Sequence, residues 1–264
     1  MTEFVTSEAG DRIAYDRYGT GPAIIFIAGA GPHRAVDPET TQTAELAAQQ
    51  GVTTIVFDRL GRGESPAEGV LDLHRELQAI RALIDVAGGR AVLCGHSSGC
   101  SIALAAAAAG MAVDGLALWE APIGGTGGGA QAWSDEVERR IDAGDLTGAL
   151  EHYMKDMPPE WLAGLKASPE FEQVAAEVVT WRADGKSLAW AESAPLEDLL
   201  ADVRVPIQAM YGAETFPEMP QAARALATAA ARGVEKQMPG AAHSWDPAPM
   251  AAELAGFTRG VTQL

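Results

Sequence analysis

Within Gly95-His96-Ser97-Ser98-Gly99 a serine stands midway between two glycines. A serine oxygen attacks a carbonyl well only when it projects from a sharp strand-to-helix turn. Such a turn crowds the residues two before and two after it, and glycine at both places removes the clash. Chance alone supplies ~0.2 such motifs in a chain with 29 glycines in 264 residues, taking serine at its usual abundance. The flanks therefore carry the argument. Ala91–Gly95 reads as a strand and Ser98–Ala109 as an alanine-rich helix, whose N-terminus offers partial positive charge and the Ser98 N–H to a developing oxyanion. The chemistry would be acyl transfer with Ser97 as nucleophile. A hydroxyl needs a base, and an imidazole has the suitable pKa. The histidines are His33, His74, His96, His152 and His243. An imidazole in turn needs a carboxylate to orient it. Glu120 interrupts the otherwise apolar run Leu118-Trp119-Glu120-Ala121-Pro122, where an unpaired carboxylate would be costly to bury.

These groups must be held by a scaffold, and short β-branched or aromatic runs recur along the chain. Strands are expected over Phe4–Thr6, Arg12–Tyr18, Ile24–Ala28, Thr53–Asp58, Ala91–Gly95, Gly115–Trp119, Ile207–Tyr211 and Val234–Met238. Most are continuously apolar, as parallel strands buried on both faces must be. Helical patterns fall between them at Glu39–Gln50, Asp72–Val86, Ser98–Ala109, Pro220–Ala231 and Pro249–Phe257. The alternation predicts an α/β fold: a mostly parallel eight-stranded sheet covered by helices on both faces, opening with an antiparallel hairpin. Residues 1–122 and 201–264 form this core. The segment 123–200 breaks the alternation and reads as a helical cap inserted after the sixth strand. It opens with the Gly124–Gly129 stretch, read as a hinge or loop, and holds Trp133, Trp161, Trp181 and Trp190. Any one of these tryptophans is explained by packing within the insert. As a group they suggest a cap over an apolar pocket.

The order of elements resembles the α/β-hydrolase superfamily. So do Gly-His-Ser-Ser-Gly, the stretch Phe57-Asp58-Arg59-Leu60-Gly61-Arg62-Gly63-Glu64-Ser65, and Pro239-Gly240-Ala241-Ala242-His243. The resemblance spans nearly the whole chain and is weakest in the cap. It implies His243 as the base, and it makes Asp58, Arg59 and Glu64 structural residues of a loop beneath the site. His96 should leave the elbow in another direction; His33, His74 and His152 read as solvated or packed, with His33 near enough to the loop after the third strand to meet a substrate. That loop is Ala28-Gly29-Ala30-Gly31-Pro32, where the family usually shows His-Gly, and by position the Ala30 N–H joins that of Ser98 in the oxyanion hole. The family commonly places its acid in Gly-x-x-Asp after the penultimate strand, but here Tyr211-Gly212-Ala213-Glu214-Thr215 puts threonine there. Two carboxylates remain, Glu214 one residue out of register and Glu120 after the preceding strand. Glu-x-Pro at the latter place resembles zearalenone-degrading lactonases, and Glu120 is preferred; a structural glutamate is the alternative for either.

Composition narrows the partners. Nineteen basic against 36 acidic residues give a net charge of −17, which repels phosphate backbones and anionic lipids, so neither nucleic acid nor membrane is expected. The N-terminus has neither a basic start nor an apolar core, and Ile102–Val113, broken by Gly110, is too short to cross a bilayer, so a cytoplasmic monomer or homodimer is the expectation. Cys94 and Cys100 read as buried thiols. No metal cluster, nucleotide loop or cofactor motif is present, and none is needed. The sequence thus predicts a serine hydrolase with Ser97, His243 and Glu120, acting on an ester or lactone bond of a medium-sized hydrophobic molecule. A serine at the elbow argues against dehalogenase or epoxide hydrolase chemistry. The alternatives are a cofactor-free haloperoxidase or lyase reusing the same residues, and a small-molecule binding protein.

Overall fold

A computed structural model describes residues 1–123 and 129–262. Of the expected Gly-rich hinge, all but Gly129 lies outside the described residues. In chain order the elements of the first half are β1 (Glu3–Thr6), β2 (Arg12–Gly19), β3 (Ala23–Ile27), α1 (Pro38–Ala48), β4 (Thr53–Phe57), α2 (Leu73–Val86), β5 (Ala91–His96), α3 (Ser98–Ala108) and β6 (Val113–Trp119). Six helices follow: α4 (Ala130–Asp142), α5 (Leu146–Tyr153), α6 (Pro159–Ala167), α7 (Phe171–Glu177), α8 (Arg182–Ala191) and α9 (Leu196–Leu199). The chain closes with β7 (Ile207–Glu214), α10 (Met219–Ala229), β8 (Gly233–Ala241), β9 (Ser244–Trp245) and α11 (Pro247–Val261).

The strands form one sheet in the order β1-β2-β4-β3-β5-β6-β7-β8-β9. Strands β3 to β8 pair in parallel, while β1, β2 and β9 join antiparallel. Nine strands stand where the sequence predicts eight. The addition is β9, whose two residues carry no readable period; it exists because the chain doubles back after β8 and pairs Gly240 with Trp245.

Alternation along the strands divides the core between the two faces. Ile25, Ile27, Leu93, Leu116 and Leu118 pack with Ile80 and Leu83 of α2, Ile102 and Leu104 of α3, and Leu226 of α10. Their neighbours Ile24, Phe26, Val92, Ala117 and Trp119 face the other way, onto Ala44 and Ala47 of α1 and Met250 and Leu254 of α11. β3 and β4 are buried at every residue, which is why they read as unbroken apolar runs. The helices between β6 and β7 have their own small core of Val137, Ile141, Leu150, Tyr153, Val178 and Trp181. Of these helices α8 packs on α3 and α2, whereas α6 buries none of its residues. Among the described residues no helix is long and apolar enough to cross a membrane.

Candidate active site

Strand β5 and helix α3 meet at Ser97, whose backbone sits at φ 54°, ψ −128°. A side chain rarely adopts that conformation, at a cost of about 1–3 kcal/mol, and here it lifts the hydroxyl out of the strand-to-helix line. The flanking glycines are required by neighbours as well as by the turn. A Cβ at Gly95 would come within 2.6 Å of Cys100 Cα, and one at Gly99 within 2.2 Å of the Ile27 carbonyl. Helix α3 therefore approaches β3 more closely than any side chain allows. Ser98 is its first residue, where a backbone N–H has no partner within the helix.

The imidazole of His243 arrives from the turn between β8 and β9. Its Nδ1 lies 2.6 Å from Glu120 Oε2. Glu120, one residue past β6, is itself in a left-handed conformation with φ 48°, and its N–H donates to the Met210 carbonyl at 2.8 Å. Its other oxygen accepts from the Gly212 N–H at 2.9 Å and from the Thr215 hydroxyl. Burial alone would raise the Glu120 pKa, but the bonds from His243, Thr215 and Gly212 hold it below the usual carboxylate range. A carboxylate that stays ionised fixes the tautomer: Nδ1 carries the proton and donates it, so Nε2 presents a lone pair. Glu214 is exposed at the end of β7, and only its carbonyl bears on this region, accepting from Ala242 N–H at 3.3 Å. Of the two carboxylates named from the sequence, Glu120 is the one that reaches the imidazole.

The histidine loop is strained too. Ala242 and His243 have φ of 50° and 73°, and with Ser97 and Glu120 they are the non-glycine residues of positive φ among the described residues. The His243 carbonyl is gripped by two donors, Trp119 Nε1 at 3.0 Å and His96 Nε2 at 2.9 Å. Burial and the neighbouring His243 push the His96 pKa down to about 4, so its ring is neutral and carries its proton on Nε2. The sequence reading sends His96 away from the elbow, and its bond to the His243 carbonyl had no signal in the sequence.

Ser97 and His243 line one cavity of about 160 Å³, with Trp133, Trp161, Met157 and Phe216 among its walls. Trp133, Tyr153, Met157 and Leu188 also wall a second, largely apolar cavity of about 300 Å³. Trp181 instead packs in the insertion's own core with its ring edge beside Gly31 of the loop after β3, and Trp190 packs against the main core. Ala30 follows Gly29, where a Cβ would be 3.0 Å from Ser97 Cβ, so its loop runs directly over Ser97. His33 lines a different cavity beside Arg34, Asp58 and Glu64. His74 is exposed, and His152 lies on α5 with its carbonyl accepting from Trp133 Nε1. Asp58 and Glu64 bind Arg34, and Arg59 is buried on Glu76 and Asp184, the structural roles expected of them. Cys94 and Cys100 are free and buried.

A model of the alpha/beta hydrolase family matches residues 24–256. The chain belongs to that family. No curated protein matches it. Among solved structures, an alpha/beta hydrolase from Sphaerobacter thermophilus is 26% identical, covers 97% of this chain and 99% of its own, and superposes with a TM-score of 0.80. A thermophilic esterase from Thermogutta terrifontis is 20% identical over 100% of this chain and 97% of its own, with a TM-score of 0.63. A haloalkane dehalogenase loop variant from Bradyrhizobium elkanii is 18% identical over 100% and 97%, with a TM-score of 0.69. The last two share the fold; their chemistries differ, so the choice among chemistries rests on this chain's own side chains.

Proposed function

We propose that this α/β hydrolase cleaves an ester or lactone bond of a medium-sized hydrophobic molecule through an acyl-enzyme on Ser97. His243 Nε2 accepts the Ser97 proton as the hydroxyl oxygen attacks the carbonyl. Glu120 stabilises the imidazolium that forms, and the N–H groups of Ala30 and Ser98 bind the oxyanion. The protonated His243 then hands its proton to the departing alcohol, and water repeats the sequence to release the acid. The helices between β6 and β7 act as the cap, and its Trp133 and Trp161 contact the apolar part of the substrate.

One observation carries this reading: an ionised, buried Glu120 at 2.6 Å from the Nδ1 of a histidine that shares a cavity with the elbow serine. The apolar walls favour a hydrophobic substrate, and a lactone fits the Glu-x-Pro resemblance. A screen of aryl esters and lactones, with Ser97→Ala as control, tests it. Turnover should vanish in Ser97→Ala. Glu120→Gln should lower kcat about 10⁴-fold, the cost of an analogous acid-to-amide change in a serine protease, while Glu214→Gln stays within about threefold of wild type. Turnover that survives Ser97→Ala, or the reverse ranking of the two glutamates, overturns the assignment.

A further inference from the structure

Asp184 is fully buried on α8, in the insertion, and the mechanism above makes no use of it. Its Oδ1 accepts from Arg59 at 2.6 Å and from the Ser98 hydroxyl at 2.7 Å, and its Oδ2 accepts from Arg62 at 2.8 Å. Both guanidinium groups reach onward to the loop above the nucleophile. Arg59 Nη1 donates to the carbonyls of Ala28 and Gly29, each at 3.1 Å, and Arg62 Nη1 donates to the Gly29 carbonyl at 2.6 Å. Glu76 holds the far side of Arg59, and Thr180 holds Arg62 through its hydroxyl and its carbonyl. Two cations and two carboxylates thus balance inside the protein. Burial disfavours the Asp184 charge, but Arg59 and Arg62 keep it ionised, below the usual carboxylate range.

The consequence follows from peptide geometry. In a trans peptide the C=O of one residue and the N–H of the next point in opposite directions. The peptide from Gly29 to Ala30 is trans, so two guanidinium groups on the Gly29 carbonyl dictate where the Ala30 N–H points. The same carboxylate pins the hydroxyl of Ser98, whose N–H is the other proposed oxyanion donor. We infer that Asp184 is a positioning residue for the oxyanion hole, aiming the Ala30 and Ser98 N–H groups through Arg59, Arg62 and the Ser98 hydroxyl. The insertion is then part of the catalytic apparatus and more than a cover over the substrate.

This rests on the reading of Ser97 and its oxyanion donors, so the test separates the two. Wild type, Ser97→Ala, Asp184→Asn and Arg62→Lys are assayed on an aryl ester, and rates are normalised to the sites titrated by a fluorophosphonate. Arg62→Lys keeps the charge of the cluster, but one ammonium cannot fork between Asp184 and the Gly29 carbonyl. Loss of an oxyanion donor costs about 10²–10³ in kcat. Asp184→Asn should lose about 10²-fold in kcat and Arg62→Lys at least about tenfold, with KM within about threefold and the acid limb of the pH profile unmoved. If Asp184→Asn does not fold, Arg62→Lys decides alone. Either variant folded with wild-type kcat, or changed only in KM, overturns the inference. Wild-type turnover independent of Ser97 overturns the site itself instead.

Discussion

Thr215 stands where the resemblance leads one to expect an aspartate, and its hydroxyl donates to Glu120, the acid proposed above. On the proposed reading the carboxylate that orients His243 comes from the end of β6, and a hydroxyl after β7 supports it. A hydrogen bond to a charged group is worth about 1.5–3 kcal/mol, and about 1.4 kcal/mol is tenfold in rate. Thr215→Val should therefore lower kcat by roughly tenfold and raise the Glu120 pKa. The sign for stability follows from the direction of that pKa. A folded-state value below the unfolded one gives stability above the usual carboxylate range, lost as pH falls through the folded value. The variant should begin to lose that stability at a higher pH than wild type in acid melts read by circular dichroism; coincident acid profiles would remove Thr215 from the network. Ser97, His243 and Glu120 can be named from spacing, resemblance and the cost of burying a carboxylate in an apolar run, and the structure bonds Glu120 to His243 and lines one cavity with His243 and Ser97. Thr215 was visible only as a missing charge, because nothing local announces that a hydroxyl will point at a residue 95 positions away.

At the scale of elements, the sheet and its covering helices were readable because parallel strands buried on both faces leave unbroken apolar runs. Strand β9 was not, since two residues are held by the reversal after β8 rather than by any pattern. The partners of Asp184 were hidden for a related reason: Arg59 and Arg62 lie more than 100 positions away in sequence, and only packing of α8 on α3 and α2 brings them together. The tryptophans of the insertion, alike in sequence, divide in space. Trp133 and Trp161 wall the cavity at Ser97, while Trp181 and Trp190 are packing residues. Alanine at 133 or 161 should shift the preferred acyl chain length among p-nitrophenyl esters. Alanine at 181 or 190 should leave that preference fixed and lower stability, by about 3–5 kcal/mol at the buried Trp181 and less at the half-buried Trp190, read as a drop in Tm. An altered chain-length profile from Trp190→Ala alone would show that the walls have been drawn wrongly.

For the molecule as a whole, the acidic surface and the mixed core are those of an ordinary α/β protein, and strain is where it departs from ordinary. The backbone of Ser97, Glu120, Ala242 and His243 is left-handed, and the remaining left-handed residues among those described are glycines. Such conformations cost about 1–3 kcal/mol each and persist because the surrounding bonds over-determine them. The residues proposed for the chemistry thus sit in the least comfortable part of the chain. Ser97→Gly should abolish turnover and yet raise Tm, because glycine adopts the elbow geometry without penalty; a Tm below that of wild type would mean the elbow stores no strain. It follows that durability and usefulness pull against each other at this site. A population of these chains selected for survival in heat alone, with no demand for turnover, would drift toward glycine at the elbow. It would keep the sheet, the helices and the pocket, and become a sturdier vessel with nothing left to do.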